Sequence, residues 1–308
     1  MLVALTGGTG GAKLIEGLSH EVDPAELTLI CNTADDFILN GLNISPDLDT
    51  ITYTLAGMSD SAQGWGIRDD TFTVLAQLEK LGGEAWFKLG DKDIATHLMR
   101  TRQLRESFRL SDVTDQIRES LGIKARILPM SNDRVETRVE TAEGELSFQE
   151  YFVKRRWQPQ VERVFYAGIE NSRPAPGVVE AIRDATGIVL CPSNPITSIG
   201  PILAVPGIRE ALTQVTATVV GVSPMIGESA ISGPAHRLMA AEGWEPSAFG
   251  AAGGYADFLD RFVIDVEDEM LRGKLEALDV EVVATSILMK SLADKRRLAR
   301  EVVALIEK

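Results

Sequence analysis

Positive charge is what this sequence lacks most. Its 308 residues hold 31 lysines and arginines against 45 aspartates and glutamates, a formal net charge of −14. So acidic a surface repels nucleic acid and anionic membrane, and neither is an expected partner. Only two cysteines occur, Cys31 and Cys191, each in an apolar run. They read as buried thiols in a reducing cytosol. No run approaches the ~18 apolar residues of a membrane span, and no secretory leader pattern is visible, so the expected location is cytoplasmic. Histidine is scarce too: His20, His97 and His236. With no Gly-x-Ser-x-Gly, His-Glu-x-x-His or Cys-x-x-Cys motif, serine-hydrolase and zinc chemistry are disfavoured. What is abundant is ordinary core material. Hydrophobic residues make up 44% of the chain, which excludes a disordered one.

The pattern is that of an α/β protein. Leu2–Leu5 is a short apolar run typical of a buried parallel strand. A glycine turn follows, then the helical spacing of Ala12–Leu18, then a second apolar run, Leu27–Cys31. That is a βαβ crossover with parallel strands. Helices are expected at 49–56, 69–79 and 93–121, the last with Ser111 as N-cap and Asp115 in its first turn. Strand chemistry occupies 125–166, so the region of about 93–170 reads as an inserted α+β subdomain in a single domain of 308 residues. Strands return at 187–191, 217–222 and 280–284, and a Lys/Arg-rich helix closes the chain at 292–307. The expectation is a mostly parallel sheet with helices on both faces.

Four segments carry candidate chemistry. Thr6-Gly7-Gly8-Thr9-Gly10-Gly11-Ala12-Lys13 follows the first strand. Glycines there let bare N–H groups approach a phosphate at the positive end of the next helix. The spacing is neither a Walker loop nor G-x-G-x-x-G, and Lys13 has an exposed helix face as its alternative place. Asn32, Asp35 and Asp36 follow the second strand, and Ser45-Pro46-Asp47-Leu48-Asp49-Thr50 comes soon after. Carboxylates beside a diphosphate call for a divalent cation such as Mg²⁺; Asp47 and Asp49 also read as helix caps. Lys88, Lys92 and His97 flank the Gly90-Asp91 turn and could gather round an anionic substrate, although a lone histidine is more often structural. Pro192-Ser193-Asn194-Pro195 forms a rigid loop offering hydroxyl, amide and backbone groups before a helix start near Thr197-Ser198. The Ser223-Pro224 and Ser232-Gly233-Pro234-Ala235 segments repeat that theme.

Read together, these motifs resemble the 2-phospho-L-lactate transferase family. The resemblance rests on Gly-Gly-Thr-Gly-Gly-Ala-Lys at 7–13, Asn-Thr-Ala-Asp-Asp at 32–36, Ser-Pro-Asp-Leu-Asp-Thr at 45–50, Trp-Gly-Ile at 65–67, Leu-Gly-Asp-Lys-Asp-Ile-Ala-Thr-His at 89–97 and Pro-Ser-Asn-Pro-Ile-Thr-Ser-Ile-Gly-Pro-Ile at 192–202. It spans nearly the whole chain. It implies a Rossmann-like core and a role in making the deazaflavin coenzyme F-420. A phospho-acyl group would pass from a guanosine diphospho donor to the ribityl hydroxyl of the deazaflavin Fo, with Mg²⁺ present and GMP released. By the same resemblance Gly8, Thr9, Gly10, Gly11, Lys13, Asn32, Ser193, Asn194 and Ser198 hold the guanosine diphosphate. Asp49, Lys88, Thr96 and His97 contact Fo, Asp35 and Asp49 hold the metal, and Asp49 is the catalytic residue, as proton acceptor or as metal ligand. A homodimer is also implied.

Two other readings compete. A nonenzymatic nucleotide-sugar-binding regulator of the same superfamily shares the glycine loop, but carries a Gly-rich stretch where this chain has Phe37-Ile38-Leu39-Asn40-Gly41. An NAD-dependent dehydrogenase would use an acidic residue after strand two, a place Asp35 could fill, but leaves the Pro-Ser-Asn-Pro loop unexplained.

Overall fold

The computed structural model describes residues 1–60, 64–231 and 233–307. Ser232, which opens one of the proline loops, lies outside them. Ten strands concern the site: β1 (Leu2–Thr6), β2 (Leu27–Cys31), β3 (Arg126–Pro129), β4 (Glu136–Thr141), β5 (Gly144–Ser147), β6 (Val161–Ala167), β7 (Gly187–Leu190), β8 (Thr218–Val222), β9 (Arg261–Ile264) and β10 (Glu281–Ala284). Seven form one sheet in the order β10-β9-β8-β7-β1-β2-β3. Every pairing in it is parallel. The expected α/β architecture is therefore what the chain adopts.

The sheet is covered on both faces because its central strands β1, β2 and β7 are buried along their whole length. Val3, Leu5, Ile30, Ile188 and Leu190 point into one core, and Ala4, Leu29, Cys31 and Val189 into the other. This is the period-two alternation of a strand with no wet side. Three of the five labelled helices are α1 (Gly8–Glu21), α2 (Pro46–Leu55) and α5 (Leu292–Ile306); α1 and α5 bury Leu14, Ile15, Leu18, Leu298 and Val302 against the second core. Helices Val178–Arg183 and Ile208–Gln214 cover the first. Each fully buried Leu or Ile contributes about 1.5–3 kcal/mol. No helix among the described residues is long and apolar enough to cross a membrane.

The middle of the chain differs in detail from its sequence reading. The stretch expected as one helix at 93–121 is two, α3 (Asp91–Arg105) and α4 (Leu110–Ser120). They part at Ser107, whose φ of +69° no helix contains. Ser111 does not cap α4. The cap position is Arg109, and Asp112 rather than Asp115 is the first-turn acid, accepting from the Arg109 amide at 3.3 Å. The helix expected to begin at Asp49 begins at Pro46, where proline's fixed φ suits the first turn. The helix expected at 69–79 runs Thr73–Lys80. Within the region read as an insertion, β3 belongs to the main sheet and β4, β5 and β6 form a separate antiparallel one. In β4, Thr137, Val139 and Thr141 face inward, so a strand of polar alternation still buries one face. Strand β9 had no expectation attached to it.

Helices α1 and α5 approach unusually closely. A Cβ on Gly17 of α1 would stand 2.2 Å from the Lys295 carbonyl oxygen of α5. Alanine normally strengthens a helix interior by about 1 kcal/mol over glycine. Here backbone blocks the methyl, and overpacking typically costs about 1–3 kcal/mol. Gly17→Ala is therefore expected to lower the melting temperature. A rise would show that the two helices can separate at no cost.

Candidate active site

The strand order fixes where a site can lie. From β1 the chain moves to β2 and β3 on one side, then returns to β7 on the other. The carboxyl ends of β1 and β7 therefore flank a topological switch point, the usual ligand crevice of open α/β sheets. The glycine loop leaves β1 there and the Pro192–Asn194 loop leaves β7. They are stitched together: the Gly7 amide donates to Ser193 Oγ at 3.1 Å, and Ser193 Oγ donates to the Gly7 carbonyl at 2.7 Å. Gly7 has no room for a side chain, since a Cβ would meet Asp47 Oδ2 at 2.5 Å and Ser198 Cβ at 2.8 Å. Gly8 takes a φ of +63°, the left-handed conformation that glycine adopts freely.

Several residues expected to hold a nucleotide lock these loops to one another. Asn32 Nδ2 donates to Asp47 Oδ2 at 2.9 Å and to the Thr197 carbonyl at 3.1 Å. Asn194 Oδ1 accepts from the Ile196 and Thr197 amides at 2.9 and 3.2 Å. Asp47 accepts the Gly8 amide, so a carboxylate already stands at the amino end of α1. Gly10 and Gly11 are buried in the first turn of α1, and Ser198 is buried beside Gly7. Thr9 and Lys13 instead line an adjoining cleft of about 300 Å³, together with Thr50, Tyr53, Trp65 and Lys290.

A second network lies between α2 and α3. Arg100 grips both carboxylate oxygens of Asp49, one through Nη1 at 3.0 Å and the other through a shorter Nη2 contact. Arg100 Nη1 is also 3.2 Å from His97 Nδ1. A guanidinium only donates, so Nδ1 is the acceptor; His97 Nε2 lies 3.2 Å from Asp93 Oδ1, a close approach without hydrogen-bond geometry. The Tyr53 hydroxyl donates to the same Asp93 oxygen at 2.6 Å, and Thr96 supports that hydroxyl. Two residues of α2 (Asp49, Tyr53) thus meet three of α3 (Asp93, His97, Arg100). Asp49 is no helix cap: it sits inside the first turn, facing Arg100. His97, expected to touch Fo, is enclosed by this network and 1% exposed. Lys88, expected beside it, is exposed and carries no ion pair among the described residues.

Sequence reading missed Arg100, Asp93 and Tyr53. Their signal was spacing. Asp93, His97 and Arg100 stand at i, i+4 and i+7, and Asp49 and Tyr53 at i and i+4, so each set shares one helix face. A polar stripe on a helix reads as solvated surface until another polar stripe is known to face it.

The electrostatics are unbalanced. Asp35, Asp47 and Asp49 are buried and Asp36 is half-buried, and Arg100 pairs directly only with Asp49. Burial pushes the Asp35 carboxyl well above the ordinary range, and the nearby Asp47 adds to it. Burial does the same to Asp36, opposed by the Ser45 hydroxyl, which donates to it at 2.7 Å. Asp47 is raised to about 6 by burial, against the pull of Asn32 and the Gly8 amide. Asp35 Oδ1, Asp36 Oδ1 and Thr6 Oγ1 have no hydrogen-bond partner. Orphaned carboxylate oxygens of this kind fit a hard divalent cation such as Mg²⁺, which takes oxygen ligands. Asp49, Asp93 and His97 also present donor atoms within 4.8 Å of one another, though Arg100 brings a positive charge to that group.

Comparison with known proteins follows the same lines. Residues 2–303 match the model of the family described as 2-phospho-L-lactate transferase CofD. A 2-phospho-L-lactate transferase of Methanosarcina mazei is 43% identical, over 98% of this chain and 99% of its own. A phosphoenolpyruvate transferase of Kitasatospora aureofaciens is 42% identical, over 99% and 98%. Among solved structures, a protein of the UPF0052 family from Bacillus halodurans shares the fold, with a TM-score of 0.65, 19% identity and 98% coverage of each chain.

The raised Asp47 carboxyl gives a pH signature. An acid whose folded pKa lies above its unfolded value favours folding when protonated. That contribution is complete below about 3.8 and is lost as the pH rises through about 6. It amounts to on the order of 3 kcal/mol. Asp47→Asn keeps the shape without the charge. Its melting temperature is expected to fall less than that of the unsubstituted protein between pH 5 and pH 7.5. Parallel pH curves for the two proteins would show that Asp47 is not the group being titrated.

Proposed function

The chain belongs to the 2-phospho-L-lactate transferase family, a transferase family of coenzyme F-420 biosynthesis, and from that membership we propose that it carries a phospho-acyl group from a guanosine diphospho donor to Fo, as a cytoplasmic, Mg²⁺-dependent homodimer. The observation that carries the reading is the switch-point crevice, where the glycine loop meets the buried Asp47 and Asn32, with Asp35, Asp36 and Asp49 on the neighbouring segments and a cleft lined by Lys13 and Lys290 adjoining it.

In this reading the primary ribityl hydroxyl of Fo attacks the phosphorus that bears the acyl group. A new P–O bond joins Fo to that phosphorus, the bond to the other phosphate breaks, the hydroxyl proton passes to the Asp49 carboxylate, and GMP departs. Lys13 and Thr9 face the donor phosphates from the cleft wall, and Lys290 adds positive charge there. Asp49, fixed by Arg100, accepts the hydrogen bond of the attacking hydroxyl and aims it. Burial of these groups excludes water, which would otherwise compete as acceptor. Positioning and charge neutralisation supply the rate in such transfers. A bound Mg²⁺ would neutralise phosphate charge. Asp35 and Asp36 would hold it, because their free oxygens fit that ion, and Asp49, the expected second ligand, is already gripped by Arg100. Lys88, from its exposed position, meets the polar edge of Fo.

The three-carbon acid is decided by experiment, since relatives of almost equal identity carry phospholactate and phosphoenolpyruvate names. Purified protein is incubated with Mg²⁺, Fo and each of the lactyl, enolpyruvyl and glyceryl diphosphoguanosines, and products are read by mass spectrometry. One donor is expected to yield the Fo phosphodiester and GMP in equal amounts, and chelation of Mg²⁺ to stop it. No turnover of Fo with any donor would refute the proposal.

A further inference from the structure

One tryptophan is not used by the fold. Trp86 packs with Phe37 and Phe87, and Trp157 and Trp244 pack against the first core. Trp65 joins no core and faces no other ring among the described residues. It lines instead the cleft that holds Thr9 and Lys13. An indole kept off the core forgoes one of the largest apolar gains a side chain offers, so its place at a cleft calls for a ligand.

The backbone around it is shaped to present it. Segments 58–60 and 64–68 pair with one another: the Arg68 amide donates to the Met58 carbonyl at 2.8 Å, and the Asp60 amide to the Gly66 carbonyl at 3.1 Å. Gly64 and Gly66 flank the indole at φ of +77° and +74°. A Cβ at either would touch nothing, so glycine serves conformation there and not room.

In-line transfer decides which substrate meets the ring. Attacking and leaving oxygens stand on opposite sides of the phosphorus. In the reading above the hydroxyl is aimed by Asp49, on α2, and the donor phosphates lie along Thr9 and Lys13, on α1. GMP therefore departs away from α2, and the α2 side of the cleft belongs to the acceptor. Thr50, Tyr53, Thr54 and Trp65 line that side, and Thr50 adjoins Asp49 in the chain. The same loop runs on to the turn that follows Lys88. The Arg68 and Asp69 carbonyls accept Lys92 Nζ at 3.2 and 2.9 Å, and Asp70 Oδ1 accepts the Lys92 amide at 2.9 Å. Three residues of chain, at most about 11 Å, separate Trp65 from Arg68.

We propose that Trp65 is the stacking platform for the tricyclic ring of Fo. This rests on the Fo acceptor proposed above. The ring lies on the indole with its polar edge toward Lys88, and the ribityl chain runs back past Thr50 to Asp49. Three fused flat rings suit an open indole face, and the cleft of about 300 Å³ is of ligand-binding size.

The test is calorimetry on the whole protein. Fo is titrated into protein holding Mg²⁺ and guanosine diphosphate, and guanosine diphosphate into protein with Mg²⁺ alone, for the unsubstituted chain, Trp65→Leu and Trp65→Phe. The leucine variant is expected to bind Fo at least about tenfold more weakly and guanosine diphosphate as before. The phenylalanine variant keeps a flat face and is expected to recover most of the loss. Equal Fo affinity in all three proteins would overturn the assignment. So would a leucine variant that loses guanosine diphosphate and keeps Fo, which would put the indole on the donor. A phenylalanine variant no better than leucine would overturn stacking as the contact. No binding of Fo by the unsubstituted protein would instead refute the Fo acceptor, and this assignment with it.

Discussion

The Arg100 guanidinium is the one buried lysine or arginine charge among the described residues, and the site is arranged around it. It joins α3 to α2 through Asp49 and fixes the orientation of His97. Such a pair is not there for stability. Desolvating two ions costs several kcal/mol each, and apolar replacements of similar size often do as well. What the pair supplies is position. Asp49 cannot turn, because both its oxygens are held, and the chain Arg100–His97–Asp93–Tyr53 keeps the clamp from sliding along either helix.

Around that fixed pair the remaining carboxylates are left in tension. Asp35 and Asp47 are buried and Asp36 half-buried, none with an arginine of its own, and desolvation raises all three. A protein built only to fold would replace them. Their retention beside a glycine loop makes sense where a cation and a phosphate arrive together, each answering the other's charge. The loop itself is closed by Ser193, Asn194, Asn32 and Asp47, so its shape is set before any ligand binds. Preset loops avoid paying ordering entropy on binding, and phosphoryl chemistry depends on position.

Most of the sheet was legible in the sequence because strands such as Leu2–Thr6, Leu27–Cys31 and Gly187–Leu190 are short apolar runs followed by a turn signal. Strand β9 escaped because Arg261-Phe262-Val263-Ile264 is short and follows Asp260 with no glycine or proline to mark it. The break between α3 and α4 escaped because Ser107 and Phe108 carry no breaker signal. At the site, the glycine loop and the aspartates were readable from residue type and spacing alone. Arg100, Asp93 and Tyr53 were not, since pairing between two polar helix faces is a tertiary fact. Asn32, Ser193 and Asn194 were found as important, and the structure gives them the work of bracing loops. Sequence chemistry identifies which residues have polar capacity. Only the fold shows whether that capacity is already used.

The account turns on Arg100 and Asp49 serving position rather than stability, and a double-substitution cycle measures this directly. Arg100→Met and Asp49→Leu are each expected to cost about 3–5 kcal/mol, because each leaves its partner buried and unpaired. The double variant is expected to recover most of that loss yet to show no turnover of Fo with any donor. A double variant that folds and turns over at the unsubstituted rate would contradict the account.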